Sequence, residues 1–339
     1  METKELTGKI FKGCGCLAIG NFILFIIMSV VVLCTDLDEE EGTNDSDAQT
    51  EEVDSIQAEK KDSVIVNETL EGDPYQELDE LIGLENVKSE VRSLANFVKV
   101  QKQREAQGLK IPKMSLHLVF TGSPGTGKTT VARIVARIYK DLGVLKKGHT
   151  VETDRSGLVA EYVGQTAMKT NAIVDSALNG VLFIDEAYAL VPEYTGSDYG
   201  QEAISTLLKR MEDDRDRLVV IIAGYPKEMQ RFINANPGLQ SRFNRYIDFP
   251  DYTAPELYDI FCMYARKNQY TISQEAESYL REHFDYVVEH KTRNFGNARY
   301  VRNIFEKAIQ QQANRLSHKT DMTKEELMLL QLDDVKNAK

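Results

Sequence analysis

One short stretch constrains this chain more than any other. Leu116-His117-Leu118-Val119-Phe120-Thr121 has the apolar character of a buried strand. Gly122-Ser123-Pro124-Gly125-Thr126-Gly127-Lys128-Thr129 follows at once, and a helix-forming segment begins at Thr130. Strand, glycine-rich turn and helix in that order fit a phosphate. The glycines let backbone N–H groups curl around it, and the helix start adds a partial positive charge. The predicted nucleotide-binding residues are therefore Gly122, Ser123, Pro124, Gly125, Thr126, Gly127, Lys128, Thr129 and Thr130. Lys128 is expected to reach the β- and γ-phosphates of ATP, with Thr129 holding Mg²⁺.

A second apolar run, Gly180-Val181-Leu182-Phe183-Ile184, ends in Asp185 and Glu186. Two carboxylates at the end of a buried strand are expensive unless they have chemistry to do there. Asp185 fits a ligand on the Mg²⁺ side, and Glu186 fits the base that polarises an attacking water. A third run, Leu218 to Ala223, leads into Gly224-Tyr225. Strands linked by helices predict an α/β fold: a parallel sheet covered by helices, with the ligand at the strands' carboxyl ends. Beyond Pro250 the pattern turns helical, with helix-spaced apolar residues across Ala254–Asn268, Ser273–Glu289 and Asn297–Leu316. These predict a small all-α lid.

Charge is distributed unevenly. The chain has 41 Lys+Arg against 53 Asp+Glu, a net −12. Between Asp36 and Asp73 lie fifteen acidic residues and only Lys60 and Lys61. The remainder is thus almost neutral, which excludes a general nucleic-acid footprint. The same acidic stretch has too little apolar surface to offset its ordering entropy and reads as a disordered linker over 36–74. Upstream, residues 13–35 carry no charge and include Phe22-Ile23-Leu24-Phe25-Ile26-Ile27-Met28. About 20 apolar residues span a bilayer core, so a single transmembrane helix is expected at 13–35, after an amino-terminal tail at 1–12. Lys4, Lys9 and Lys12 favour a cytoplasmic amino end. The nucleotide chemistry instead puts the large domain on the cytoplasmic side, and a tail of twelve residues can cross. Four cysteines, three of them beside the apolar run, do not make a disulfide framework or a zinc-finger spacing.

From about Glu77 to Leu332 the chain resembles the AAA+ ATPases, and within them the CbbX/CfxQ/SpoVK group that includes the red-type Rubisco activase. The resemblance rests on Leu81-Ile82-Gly83-Leu84, Glu161-Tyr162-Val163-Gly164-Gln165-Thr166, Phe183-Ile184-Asp185-Glu186-Ala187-Tyr188 and Ala223-Gly224-Tyr225. It rests equally on Asn236-Pro237-Gly238-Leu239-Gln240-Ser241-Arg242-Phe243 and Phe295-Gly296-Asn297-Ala298-Arg299. It implies a nucleotide-binding domain at 75–252 and a helical lid at 253–334. It also implies a homo-oligomeric ring, by family habit a hexamer. Arg242 then matches the arginine finger that reaches a neighbouring subunit's nucleotide, with Arg245 a nearby second candidate. Arg299 matches the lid arginine that contacts nucleotide within its own subunit. Ile82 and Gly83 match the adenine pocket, and Tyr225 stands at the sensor-1 position, where many relatives carry Thr-Asn.

The same resemblance assigns Tyr162, Val163 and Gly164 to a loop projecting into a central pore, where an aromatic ring can grip a peptide without reading its sequence. The expected function is a membrane-anchored ATPase that remodels or threads a protein client. The alternatives are a red-type Rubisco activase and a nucleotide-gated scaffold of a secretion or membrane complex. No H-E-x-x-H occurs, which argues against a built-in metalloprotease.

Overall fold

A computed structural model describes residues 64–67, 72–112, 115–162, 164–191 and 199–338. The expected tail at 1–12, the apolar run at 13–35, most of the acidic stretch and Val163 lie outside the described residues. No helix among the described residues is long and apolar enough to cross a membrane.

A six-stranded sheet forms the centre of the nucleotide-binding domain. Its strands are β1 (Ile65–Asn67), β2 (Leu118–Gly122), β3 (Thr150–Thr153), β4 (Gly180–Ile184), β5 (Leu218–Gly224) and β6 (Tyr246–Phe249), in the spatial order β1-β3-β4-β5-β2-β6. All neighbours run parallel except β1, which pairs antiparallel with β3. The order places β2 beside β5, with β4 on the other side of β5, so the glycine-rich turn and the Asp185-Glu186 pair leave the sheet at the same edge. This is where an open parallel sheet binds ligands.

Period-two alternation divides the core into two faces. Phe120, Phe183, Ile221 and Phe249 point into one cluster, while Val119, Leu182, Ile184, Val220 and Ile222 point into the other. Strands buried on both faces explain why their sequences read as continuous apolar runs. Helices α1 (Pro74–Glu80), α2 (Glu85–Ala106) and α3 (Lys128–Asp141) contribute to the first face. On the second lie α4 (Arg155–Leu158), α5 (Thr166–Ala177), α6 (Gly200–Asp213), α7 (Pro226–Asn234) and the short α8 (Pro237–Arg242). Buried Arg137 of α3 pairs with Glu77 and donates to the Gly72 carbonyl, fixing α1 beside the glycine-rich turn's helix.

The lid consists of α9 (Ala254–Lys267), α10 (Gln274–Glu289) and α11 (Ala298–Leu316), joined by β7 (Thr271–Ile272), α12 (Lys324–Met328), β8 (Leu329–Leu330) and α13 (Leu332–Lys336). Thr253 and Glu256 close a capping box at the start of α9, which fixes where the lid begins. Phe305 is the lid's central anchor, edge-on to Phe261 and Tyr270 and stacked on Tyr264 at 6.0 Å.

Two expectations need correction. Within the stretch read as a linker over 36–74, Ile65–Asn67 forms an edge strand against β3. The pairing partner is remote in sequence, so local composition carries no sign of it. The lid also continues past residue 334. Parallel pairing of β7 with β8, an ion pair from Arg315 to buried Asp334 at 2.8 Å, and burial of Val335 and Ala338 secure this end of the chain.

Phe120 is fully buried, its ring 4.9 Å from that of Phe249, on the strand that delivers the glycine-rich turn. Phe120→Ala is expected to cost about 3–5 kcal/mol, as comparable core truncations do. The denaturant midpoint of the purified chain checks this.

Candidate active site

The glycine-rich turn leaves β2 at Gly122 and enters α3 at Gly127, whose φ of 93° lies in the region that favours glycine. No side chain caps α3, so its first-turn N–H groups face the turn's interior, the arrangement that receives a phosphate. Thr126 is buried, and its hydroxyl donates to the Ser123 carbonyl at 2.9 Å, closing the turn on itself. Lys128 Nζ donates to the carbonyls of Gly122 (2.9 Å) and Ser123 (2.7 Å). Burial pushes its ammonium below the ordinary lysine range, and Asp185 opposes that shift. A cation held this way lacks a full counter-ion, which a polyphosphate would supply.

A cavity of about 580 Å³ opens above the turn, between the sheet's edge and the lid. Gly122, Pro124, Gly125, Gly127, Lys128, Thr129 and Thr130 line its floor. Asp185 and Glu186 reach it from the end of β4, Tyr225 from the end of β5 and Arg299 from α11. Leu81, Ile82 and Leu84 supply an apolar wall suited to a planar base. Most of the residues expected to bind nucleotide therefore meet in one place. Thr129 and Asp185 both line it and carry oxygens of the kind that hold Mg²⁺.

Glu186 sits at φ 48°, a strained value for a residue with a side chain, and its N–H donates to Asp185 Oδ1 at 3.0 Å. Its neighbour Tyr188 stacks obliquely on Tyr225, the ring centroids 6.2 Å apart. Burial, reinforced by the Glu186 carboxylate, pushes the Tyr188 phenol up to about 12, so it stays protonated beside Glu186.

Some expected residues play other parts. Gly83 does not line the cavity; it adopts φ 60°, and a Cβ there would overlap the Glu256 carboxylate of the lid. Ser123 does not line the cavity either, and its hydroxyl hydrogen-bonds Asp251. Arg242 lies outside its own subunit's cleft. Its guanidinium makes an ion pair with Glu212 at 3.6 Å, and Ser115 Oγ donates to its carbonyl at 2.5 Å. Tyr162 is 67% exposed on the loop between α4 and α5, and a Cβ on Gly164 would meet nothing within 4 Å. The Tyr162 side chain stands clear of the core.

Tyr252 and Asn297, neither of them among the expected site residues, also take part. Tyr252 lines the cavity, and burial pushes its phenol up to about 12. Asn297 is fully buried where the lid meets the glycine-rich turn. Its amide donates to Asp251 Oδ1 at 2.9 Å and to the Pro124 carbonyl at 3.3 Å, and its Oδ1 accepts from Tyr252 N–H at 3.0 Å. Burial disfavours ionised Asp251, but hydrogen bonds from Lys291, Asn297 and Ser123 outweigh it and hold the carboxyl below its ordinary range. The sequence placed Asn297 within the Phe295–Arg299 motif and at the start of a helix-spaced segment, and neither pattern names Pro124, Asp251 or Tyr252 as its partners.

Lys128→Ala removes the phosphate-facing charge and is expected to abolish nucleotide binding in a calorimetric titration. Glu186→Gln leaves the floor intact, so it should bind nucleotide near normally while turnover falls by orders of magnitude. Unchanged turnover in both variants would refute the site.

Comparison with known proteins agrees with this geometry. Residues 118–251 match the ATPase family associated with various cellular activities (AAA), and residues 253–339 match the AAA lid domain. Stage V sporulation protein K of Bacillus subtilis is 43% identical over 264 residues, covering 77% of this chain and 81% of that protein. The chloroplastic ribulose bisphosphate carboxylase/oxygenase activase of Cyanidioschyzon merolae is 45% identical, covering 76% of this chain and 87% of that one. ESX-3 secretion system protein EccA3 of Mycolicibacterium smegmatis is 46% identical over 77% of this chain, a match that spans only 45% of EccA3. Among solved structures, the FIGL-1 AAA domain in complex with ADP superposes with a TM-score of 0.57 at 18% identity, covering 86% of this chain and 91% of that one, a likeness of fold. With its sheet, lid and nucleotide cleft matched to both family domains, the chain belongs to the AAA ATPases, a family that hydrolyses ATP.

Proposed function

We propose that this AAA ATPase works as a ring of identical subunits that uses ATP hydrolysis to pull on a protein client through a central pore. The observation that carries the reading is the exposed Tyr162. A large aromatic held in solvent between α4 and α5, outside the residues that line the nucleotide cavity, has no packing role to explain it. A ring face suits a peptide of any sequence. Its loop leads directly into α5, which packs against β3 and β4, the latter carrying Asp185 and Glu186, so a route exists from hydrolysis to the grip.

In this reading Lys128 and the first-turn N–H groups of α3 hold the phosphates, and Glu186 orients the attacking water. Thr129 and Asp185 would hold Mg²⁺, which neutralises charge on the transferred phosphoryl group. Arg299 contacts the nucleotide from the same subunit. Arg242, outside its own cleft, supplies positive charge to the next subunit's γ-phosphate, which makes hydrolysis depend on assembly. Six subunits are the expected ring. The uncharged run at 13–35 supports tethering of the ring to a membrane, with the ATPase portion on its cytoplasmic side.

Relatives named for sporulation, for secretion and for Rubisco activation share this engine. That variety supports a client chosen outside the nucleotide site. A Rubisco-activating role draws support from the algal activase's 45% identity, and purified red-type Rubisco is the client to offer first.

Arg242→Ala should bind nucleotide normally and lose hydrolysis by about 10³-fold or more, as loss of an arginine finger does. Mixing it with Lys128→Ala subunits should restore part of the rate, because each supplies what the other lacks. Mixed rings that form without recovery would show that the finger does not act between subunits. Tyr162→Ala should keep its melting temperature and basal hydrolysis but lose client remodelling, and Tyr162→Phe should keep most of both. Retained remodelling by Tyr162→Ala would overturn Tyr162 as the grip, and a destabilised, inactive variant would make it a core residue instead.

A further inference from the structure

Asn297 stands directly before α11, where a side chain would ordinarily cap the helix, yet it makes no capping bond. Its backbone lies at φ 47° and ψ −123°, a conformation residues with side chains rarely adopt. Strain of this kind persists where the surroundings over-determine it. Here they do. The side chain, with no exposed surface, bridges three segments at once: the glycine-rich turn at Pro124, the hinge at Asp251 and Tyr252, and the lid at Phe295, whose carbonyl shares its amide hydrogens at 3.2 Å. The adjacent backbone extends the bridge, since Ala298 N–H donates to the Gly125 carbonyl at 3.1 Å. The two surfaces lie so close that a Cβ on Gly125 would overlap the Gly296 carbonyl. On the hinge side, Asp251 is itself fixed by Lys291 at 2.8 Å and by Ser123.

Arg299 lies two residues beyond Asn297, on the first turn of α11, and lines the nucleotide cavity. We propose that Asn297 is a positioning residue for Arg299: by joining turn, hinge and lid, it sets the angle at which α11 presents that guanidinium to the nucleotide. A shift of the turn on nucleotide binding then passes through Pro124 and Gly125 to the lid in one hydrogen-bond step. The inference rests on the assignment of Arg299 as a nucleotide contact.

The test is a double-mutant cycle on the full chain, with a non-hydrolysable ATP analogue titrated calorimetrically and melting followed in parallel. Glycine accommodates the strained backbone, so Asn297→Gly removes the side-chain bridge and little else. Arg299→Ala should weaken binding about tenfold, the scale of one charge-assisted contact. Asn297→Gly should weaken it by a similar factor, and the double variant should be no weaker than Arg299→Ala alone, because both act through one contact. Additive losses, or a lower melting temperature with unchanged affinity, would reduce Asn297 to a packing residue and overturn the proposal. Unchanged affinity in Arg299→Ala would remove the contact itself, and the proposal with it. A loss in Arg299→Ala with none in Asn297→Gly would leave Arg299 standing and overturn only the role of Asn297. Should Asn297→Gly fail to fold, Asn297→Ser removes the amide donors to Pro124 and Asp251 without adding a charge. In the same cycle it is read by the same criteria.

Discussion

The contact on which the cleft depends is polar and small. The floor and two carboxylates come from the edge of the parallel sheet, whereas Arg299 comes from the lid. Asn297 and Ala298 hold these parts together against Pro124, Gly125 and Asp251. Each such hydrogen bond contributes only about 1 kcal/mol net. Leaving any of these buried groups without a partner costs more than making the bond gains, so the junction is specific in a way apolar packing alone would not be. A junction of several individually modest bonds also suits a part that moves during a catalytic cycle.

Electrostatics inside the cleft follow the same logic. Lys128 is drawn away from full solvation and satisfied by two backbone carbonyls, which hydrogen-bond a cation without neutralising it. Asp185 attracts it from the end of β4, and Arg299 repels it from the lid. A polyphosphate between them would bring both cations and the α3 N–H groups into register at once. Tyr188 follows that logic too: its phenol, raised by burial and by the Glu186 carboxylate, remains protonated beside Glu186.

Arg242 and Tyr162 lie outside this network. Arg242 rests against Glu212 at the end of a short helix, and Tyr162 stands in solvent. Neither completes a site within one subunit. The fold separates the groups that line the nucleotide cavity, gathered by the lid, from these groups that lie outside it, and the proposed ring would give the second set something to act on.

How much of this was legible beforehand depended on the range of the interaction. The glycine-rich turn, the Asp185-Glu186 strand end and the three lid helices are local patterns. Backbone geometry and hydrophobic period impose them within a few residues, and the structure puts the lid helices within a residue or two of their expected limits. Ile65–Asn67 as an edge strand, Gly83 as a seat for Glu256 and Ser123 as a ligand of Asp251 were not legible, since each depends on a partner far away in the chain. Asn297 is the clearest case. The sequence placed it only in the Phe295–Arg299 motif and at the start of a helical segment, while its partner Pro124 lies 173 positions earlier and reaches it only once sheet and lid have met. Composition and local pattern thus determined that this chain would bind a phosphate at the end of a parallel sheet. Which side chains complete the cleft, and which are left facing outward, was decided by long-range packing, because burial and partner geometry are properties of the folded chain and not of any window of its sequence.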